Sequence, residues 1–364
     1  MQVLFCTDGI FPEAVGGMQR HARLLIEKLA ENFDLELIVV HPHEKELFSN
    51  YENVKEERVE NINLSKNYFK QLREYSKRVY SVIEKYPKAV IYSEGLTVWY
   101  GAKNVTNRLI VNPHGVESFH ATSAKEKLVG IPFRMASRNI FKNAKYVISS
   151  GGHLTDILKK NCKENKILTI PNAVNIPEQK EGVKNTNKIE FLFVARFASN
   201  KGIHVLMEAI DQLNSVGFEK KIFFHLCGKG PLYNEYTENH QKSNVKYWGF
   251  VSDEDLANLY RTVDVFCFPT LFEGMPTVVL EAMSHKLPVI VSDTGATNTM
   301  VDASNGFLIE RNNVKQLVDS ISNFCNLNSG ERLEMSKNSF NKIEKEYNWD
   351  VVAKTHFDLF KSMV

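Results

Sequence analysis

The chain has 364 residues, of which 43% are hydrophobic and 24% are charged, and its formal net charge is +2. These values are typical of a soluble globular protein with room for two domains, and they exclude a strong overall attraction to nucleic acid. No apolar run approaches the ~20 residues of a membrane-spanning helix, and the first residues lack the features of a signal peptide.

The five cysteines are odd in number and far apart in the sequence, and Cys6, Cys227 and Cys267 lie inside apolar runs. This distribution favours buried free thiols in a reducing compartment over a disulfide framework or a zinc site. We therefore expect a cytoplasmic protein. Residues 1–175 carry a net charge of +6 and the remainder a net charge of −4, so the two halves are expected to meet different partners.

The first half alternates short apolar runs with stretches of helical periodicity. Apolar runs predict strands over residues 2–7, 35–41, 89–93, 108–112 and 146–150. Helical stretches separate these runs, and the first of them follows the glycine pair at 16–17. This alternation indicates a parallel sheet with helices on both faces.

A polar stretch over residues 171–188 contains two prolines and no periodicity, and it is predicted to be a linker. The alternation then resumes, with strands predicted over residues 188–196, 221–228, 244–251, 263–270 and 287–293. We therefore predict an α/β protein of two doubly wound Rossmann-like domains, residues 1–175 and 176–348, that face each other across a cleft. An amphipathic helix over 349–364 is expected to pack back on the first domain.

Ligands of open α/β sheets bind beyond the carboxyl ends of the strands, so functional residues are expected in the loops that follow the strands. Gly16 and Gly17 precede a helix, where backbone N–H groups can meet a phosphate; the alternative is a simple tight turn. His114 follows the strand at 108–112 and is placed to hydrogen-bond a sugar or phosphate oxygen, unless it only caps the local backbone.

Arg196 and Lys201 flank a predicted strand-to-helix turn, and two cations there suit a diphosphate leaving group, although solvated surface charges are the alternative. Gly228 and Gly230 form a flexible turn after the next strand, which is weak evidence by itself. The strand that follows ends in a glycine-aromatic turn at Phe250 and Val251, whose backbone can bond a nucleobase edge.

The stretch EGMPTVVLE at 273–281 places two carboxylates around an apolar segment. Glu273 is expected in a loop, with Gly274 allowing close approach of a ligand and Pro276 in the first turn of a helix. Glu281 is then expected about two turns into that helix. Each carboxylate can accept two hydroxyl hydrogen bonds, so the pair suits a sugar ring and a ribose; a solvated charge and a helix-bound glutamate are the alternatives.

Asp253 and Asp255 match the D-x-D pattern of metal-dependent sugar transferases. Acidic residues in the first turn of a helix after Ser252 are also the expected capping chemistry, and two aspartates two residues apart point away from each other. We therefore interpret them as a helix cap and predict no metal site.

Together these residues resemble a known family, the retaining GT-B glycosyltransferases of family four, also called glycosyl transferases group 1. The most specific element is EGMPTVVLE followed by AMSHKLPVIVSDTG. Supporting motifs occur in the family's order: the glycines at 16–17, HG at 114–115, PNAVN at 171–175, Arg196 with Lys201 and Gly202, GKGP at 228–231 and WGFVS at 248–252.

The resemblance implies a nucleotide-diphosphate-sugar donor (UDP or GDP) held mainly by the second domain, retention of anomeric configuration, and no metal or other cofactor. It implies that Arg196 and Lys201 neutralise the diphosphate, that Glu281 binds the ribose and Glu273 the sugar, and that His114 lies near the transferred sugar. The predicted catalytic residues are Glu273, His114, Lys201 and Arg196. The predicted donor-binding set is Gly16, Gly17, Arg196, Lys201, Gly228, Gly230, Phe250, Val251, Glu273, Gly274, Met275, Pro276, Thr277 and Glu281.

The sequence departs from the family after this motif, where two glycines and a glutamate are common. Here Gly295 is followed by Ala296, and Thr299 occupies the neighbourhood of the missing acid. A glutamate role at that place cannot be transferred to this chain.

The resemblance favours an acceptor that is a glycan or lipid-linked glycan of a cell-surface polysaccharide or lipopolysaccharide. Residues 67–88 carry many cations among aromatic side chains, which fits either contact with an anionic membrane at its inner face or a solvated face of a core-packed helix. Two other functions remain open: a synthase- or phosphorylase-like enzyme with a small soluble acceptor, and a non-catalytic binding subunit. No nucleic-acid partner is expected.

Overall fold

The computed structural model describes residues 1–63, 65, 67–119, 124–178 and 187–364. The chain divides into two compact units. Unit 1 comprises Met1–Ala173 and Trp349–Val364, and unit 2 comprises Val174–Asn348. Part of the predicted linker, residues 179–186, lies outside the described residues.

Unit 1 contains a seven-stranded parallel sheet in the order β3-β2-β1-β4-β5-β6-β7 within the described part of the chain. Its strands are β1 (Gln2–Cys6), β2 (Glu36–His41), β3 (Val54–Arg58), β4 (Val90–Glu94), β5 (Leu109–Asn112), β6 (Tyr146–Ser149) and β7 (Ile167–Thr169). Its first five helices are α1 (Gly17–Asn32), α2 (Tyr68–Ile83), α3 (Ala124–Val129), α4 (Ile131–Asn143) and α5 (Gly152–Lys159).

Unit 2 repeats the design with a six-stranded parallel sheet in the order β10-β9-β8-β11-β12-β13, counted over the described residues. Its strands are β8 (Ile189–Val194), β9 (Ile222–Cys227), β10 (Val245–Gly249), β11 (Val265–Phe268), β12 (Val289–Ser292) and β13 (Gly306–Ile309). Its helices are α6 (Ile203–Ser215), α7 (Tyr233–Asn239), α8 (Asp253–Thr262), α9 (Thr277–Ser284), α10 (Thr297–Met300), α11 (Val314–Asn326) and α12 (Ser329–Lys342).

The last helix, α13 (Trp349–Lys361), returns to unit 1 and packs beside α1. Helix α1 buries Ala22, Leu25, Ile26 and Leu29, spaced as one face of a helix requires. These residues share a core with side chains of α13, including Phe360. The C-terminal segment is therefore part of the core of unit 1.

Each sheet has a point at which the order of strands reverses. In unit 1 this point lies between β1 and β4, and in unit 2 it lies between β8 and β11. The loops that leave two such strands diverge to opposite sides, and the gap at their carboxyl ends is where open α/β sheets bind ligands.

No helix in the described ranges is both long enough and apolar enough to cross a membrane. All five cysteines are free thiols, and the three that lie in apolar runs are buried, which confirms the expectation for Cys6, Cys227 and Cys267.

Candidate active site

The switch point of unit 2 brings Lys201 and Glu273 together. Lys201 lies in the loop after β8, and Glu273 lies in the loop after β11. Lys201 Nζ is 2.6 Å from Glu273 Oε1, which also accepts a 3.0 Å hydrogen bond from the hydroxyl of Thr270. The two side chains keep 23% and 12% of their surface exposed, so a ligand can reach the ion pair.

Two glycines beside this pair allow the chain to pass close to neighbouring backbone. A Cβ on Gly202 would lie 1.8 Å from the carbonyl oxygen of Pro269, and one on Gly228 would lie 1.9 Å from that of Ala195. Both residues have positive φ, at 73° and 123°, a conformation that other residues rarely adopt. The predicted glycine turns are therefore structural requirements of this edge, whatever else they contact.

Glu281 lies on α9, and the hydroxyl of Tyr260 donates a 3.2 Å hydrogen bond to its Oε2. Tyr260 is fully buried, and burial followed by the charge of Glu281 holds its pKa well above the ordinary value, so it remains a donor. Glu281 lies nearer the start of its helix than the sequence predicted. Because α9 begins at Thr277, with Pro276 just before it as the N-cap, Glu281 lies little more than one turn into the helix.

The remaining residues predicted for donor binding in unit 2 differ in accessibility. Arg196 is exposed beyond β8 and has no ion pair within the described part of the chain, and Phe250, just after β10, is 80% exposed. Met275 and Pro276 are buried beneath the Glu273 loop. The others, Val251, Gly230, Gly274 and Thr277, lie in loops or at a helix start at the carboxyl edge.

The segment that departs from the family pattern also reaches the Glu273 loop. The backbone N–H of Ala296 donates a 2.8 Å hydrogen bond to the carbonyl of Gly274. The loop after β12 thus supports the loop after β11 through its backbone, without the acidic side chain that the family commonly has there.

Asp253 and Asp255 lie in the first turn of α8, and Ser252 caps this helix by accepting the N–H of Asp255 at 3.1 Å. The interpretation of these acids as capping chemistry is confirmed.

Unit 1 contributes Gly16, Gly17 and His114 of the predicted set. Gly16 is the N-cap of α1, and Gly17 is its first residue, with open space where a side chain would be. His114 follows β5 with φ of 55°, an uncommon conformation for a residue other than glycine. Its backbone N–H donates to Asn112 Oδ1 at 3.1 Å, which stabilises this turn.

The switch point of unit 1 also holds a buried cluster that sequence reasoning missed. Glu94, the last residue of β4, is completely buried, and its Oε1 lies 3.1 Å from Nε2 of His114 and 3.3 Å from Nδ1 of His21 on α1. The rings of His21 and His114 meet edge to face at 4.8 Å. Helix α1, the end of β4 and the loop after β5 therefore meet at one carboxylate.

Burial alone would raise the pKa of Glu94, but its hydrogen bonds and its electrostatic interactions with His114 and His21 outweigh burial and hold that pKa below its ordinary value. Burial lowers the pKa of His21 in spite of its bond to Glu94. Asp8, at the end of β1, faces the same cluster, and burial with the nearby charge of Glu94 raises its pKa to about 6.

By ligand type, His21, Glu94 and His114 could also hold a metal ion, because their ligand atoms all lie within 4.8 Å of one another. The sequence signal for Glu94 was its position, since it directly follows a buried apolar strand. Tyr260 has no comparable signal, because it looks like any apolar residue of an amphipathic helix.

Two doubly wound parallel-sheet units in one chain are the architecture of the GT-B class of glycosyltransferases. Residues 15–177 match Glycosyltransferase Family 4, and residues 175–342 match Glycosyl transferases group 1. The chain belongs to the group 1 glycosyltransferases.

Similar proteins agree with this assignment. An uncharacterized glycosyltransferase of Methanocaldococcus jannaschii is 25% identical over 96% of this chain and 95% of its own. A UDP-Gal:α-D-GlcNAc-diphosphoundecaprenol α-1,3-galactosyltransferase of Escherichia coli is 29% identical over 65% of each chain. The structure of a sucrose-phosphate synthase from Thermosynechococcus elongatus has a TM-score of 0.80 over 100% of this chain and 98% of that one, at 18% identity.

Proposed function

We propose that this glycosyltransferase moves a sugar from a UDP- or GDP-sugar to a hydroxyl of a glycan or lipid-linked glycan, in the cytoplasm, during synthesis of a cell-surface polysaccharide or lipopolysaccharide. The observation that carries the proposal is the accessible Lys201–Glu273 pair at the switch point of unit 2. The similarity to an enzyme whose name specifies UDP-Gal and a diphospholipid acceptor supports the choice of substrates.

In this proposal unit 2 holds the donor. The diphosphate replaces Glu273 as the partner of Lys201 and also binds Arg196. Glu273 then accepts hydrogen bonds from the sugar hydroxyls, and Glu281 accepts them from the ribose diol. The exposed ring of Phe250 offers the nucleobase a surface for stacking, and the backbone of Val251 offers it hydrogen bonds. The N–H groups at the start of α9 and the loop at Gly274 add partial positive charge near the diphosphate.

The transfer retains anomeric configuration. The bond between the anomeric carbon and the diphosphate oxygen breaks, and the sugar becomes oxocarbenium-like. The acceptor hydroxyl then attacks the same face, and its proton passes to the departing diphosphate. Lys201 and Arg196 stabilise the charge on the leaving group, so this account needs no metal ion.

The test is release of nucleoside diphosphate from a panel of UDP- and GDP-sugars, with and without a chelator, followed by NMR of the glycoside formed. We expect turnover of a donor in chelator and a product with the donor's anomeric configuration. Inversion would contradict the retaining mechanism, and loss of activity in chelator would contradict metal independence. If no nucleotide sugar bound or turned over, the proposed donor class would be wrong.

Membrane contact through residues 67–88 is part of the proposed acceptor side. Helix α2 buries one face, and two cations of this segment already have acidic partners. Lys77 pairs with Glu74 at 2.8 Å, and Lys85, just beyond the helix, pairs with Glu57 at 3.0 Å. These pairs favour a solvated face for the middle of the segment.

A better membrane surface adjoins the start of α2, where the ring of Tyr68 stacks on Phe133 of α4 with centroids 6.1 Å apart. Four apolar side chains beside Phe133 are 43–68% exposed: Leu128, Val129, Ile131 and Met135. Helix α4 carries three cations and no acid. Exposed apolar side chains next to cations suit an anionic bilayer.

Sedimentation with phosphatidylglycerol vesicles, compared with phosphatidylcholine vesicles, tests this surface. We expect Met135→Asp to reduce binding to the anionic vesicles, whereas Leu333→Asp, at an exposed leucine of unit 2, should not. Absence of binding to either vesicle at low and high salt would end the membrane proposal and leave the transferase proposal intact.

A small soluble acceptor is the second candidate, favoured by the similarity of fold to a sucrose-phosphate synthase. Acceptor competition with sugar phosphates and with lipid-linked sugars separates the two. A non-catalytic binding subunit is disfavoured because Lys201, Glu273 and Glu281 are all present with bonding partners.

A further inference from the structure

The buried carboxylate of Glu94 bonds two imidazoles through a single oxygen. One oxygen, Oε1, receives both His21 and His114, while Oε2 is buried without a hydrogen-bond partner in the described residues. An ionised carboxylate only accepts hydrogen bonds, so each imidazole must present an N–H to it. This fixes Nδ1–H on His21 and Nε2–H on His114.

The three residues differ in access to a ligand. Glu94 is fully buried and the side chain of His21 is 3% exposed, whereas that of His114 is 13% exposed. With Nε2–H given to Glu94, Nδ1 is the ring nitrogen of His114 that remains for a ligand. His114 is therefore the outward member of a cluster that is otherwise closed.

His21 is itself held from behind by the last helix of the chain. Its ring lies 5.4 Å from that of Trp349 and 6.3 Å from that of His356, both on α13. Burial lowers the pKa of His356 to about 3, so this residue stays neutral, and its Nε2 lies 3.3 Å from the hydroxyl of Tyr92 on β4. Contacts with α13 therefore hold the ring of His21 in place beside Glu94.

We propose that Glu94 is a positioning residue for sugar transfer: by binding the N–H groups of His21 and His114 with one oxygen, it holds the ring of His114 with Nδ1 offered to the reacting sugar. The inference rests on the proposed function. The left-handed backbone at His114 fits this role, because such strain persists where the surroundings over-determine a residue and is concentrated at functional sites.

The first test measures the tautomers directly and does not depend on activity. Two-dimensional NMR of the protein labelled with ¹⁵N-histidine, with His21→Gln and His114→Gln spectra for assignment, should show Nδ1–H for His21 and Nε2–H for His114. In Glu94→Gln the ring of His114 should lose its single tautomer. A free mixture of tautomers for His114 in the wild type would overturn the proposal.

The second test is kinetic, on the donor that the transferase assay identifies. Residues that orient metal-bound histidines typically contribute about 10- to 100-fold, and we expect an effect of the same size here. Glu94→Gln should therefore lower kcat by about 10- to 100-fold while KM for the donor stays within about threefold. The matched control is Glu190→Gln, which removes the acid from another Glu–His pair, 3.0 Å from His225 in unit 2, and should keep normal turnover.

The outcomes separate this inference from the proposed function. If no donor is turned over, the proposed function fails and the inference fails with it; if donor is turned over but His114 has mixed tautomers, the inference alone fails. If wild type and Glu94→Gln turn over donor equally, Glu94 is not a positioning residue. If a chelator removes a bound metal and activity together, and Glu94→Gln lacks that metal, the cluster is a metal site and the proposal is wrong.

Discussion

The two units place carboxylates at equivalent switch points but treat them in opposite ways. In unit 1, Glu94 is fully buried and shared by two imidazoles, and in unit 2, Glu273 is partly exposed and paired with one flexible lysine. The first arrangement is fixed before any ligand arrives. The second can open, because both side chains remain partly accessible and a diphosphate can replace the carboxylate at Lys201.

The difference indicates a division of labour: unit 1 holds its charged groups in place before a ligand binds, and unit 2 exchanges the partners of its charged groups when a ligand binds. A buried charge that lacks a full set of partners lowers stability, so it persists where geometry matters. When the partly exposed pair separates, Lys201 becomes available to the leaving group and Glu273 becomes available to the sugar hydroxyls.

The largest effect is expected for Lys201→Ala. Loss of one charge-stabilising donor should lower turnover by at least ~100-fold. The free energy of unfolding should fall by only about 1–3 kcal/mol, because Glu273 loses Lys201 but keeps its hydrogen bond from Thr270. Steady-state release of nucleoside diphosphate and urea denaturation measure the two quantities. Lys220→Ala, before β9 at the opposite edge of the sheet, is the control. Normal transfer by Lys201→Ala would show that the Lys201–Glu273 pair does not stabilise the leaving group.

Asp8→Asn tests the cost of buried charge in unit 1. Because burial and Glu94 raise the pKa of Asp8 to about 6, the folded state holds its proton more tightly than the unfolded state. The resulting stability is complete below about pH 4 and is lost as pH rises through about 6. The wild type should therefore lose about 3 kcal/mol across this window relative to Asp8→Asn. If the stability of the wild type and of Asp8→Asn changed with pH in parallel, ionisation of Asp8 would not be unfavourable in the folded state. The control is Asp34→Asn, at an exposed aspartate, which should follow the wild type.

The smallest expected effect is a change in nucleotide affinity, and it separates the two glutamates of unit 2. Glu281→Ala should weaken nucleotide binding about 10-fold, because a carboxylate that accepts ribose hydroxyls is lost. Glu273→Ala should disable transfer but keep nucleotide affinity within about threefold, since Lys201 is then free for the diphosphate. Calorimetric titration gives both affinities. Equal loss of nucleotide affinity in the two variants would end the split of roles.

The sequence predicted the interior of both sheets but missed three edge strands. β3 contains VKEER, β7 has only three residues, and β13 is four residues long. All three lie at sheet edges, where one side has no neighbouring strand and continuous apolar runs are not required. Interior strands such as β1 and β8 are buried on both faces, and their apolar runs identified them to within two residues.

For the candidate site, residues in loops at strand ends were predictable and residues in pairs were not. Lys201 and Glu273 were each placed at a strand's carboxyl end, but their 2.6 Å contact depends on the neighbouring positions of β8 and β11, which strand order alone decides. Glu94 directly follows a predicted strand, but nothing near it in the sequence indicated a partner for its carboxylate. Its two histidines are 73 and 20 residues away in sequence, so no local spacing could reveal the cluster.

The most direct measurement of the central claim is calorimetric titration of the nucleoside diphosphate into the wild type, Lys201→Ala and Glu94→Gln. The division of labour predicts that Lys201→Ala loses most of its affinity, whereas Glu94→Gln binds like the wild type and fails only in turnover. If Glu94→Gln lost nucleotide affinity while Lys201→Ala kept it, unit 2's pair would not be the diphosphate site and the assignment of roles would be reversed.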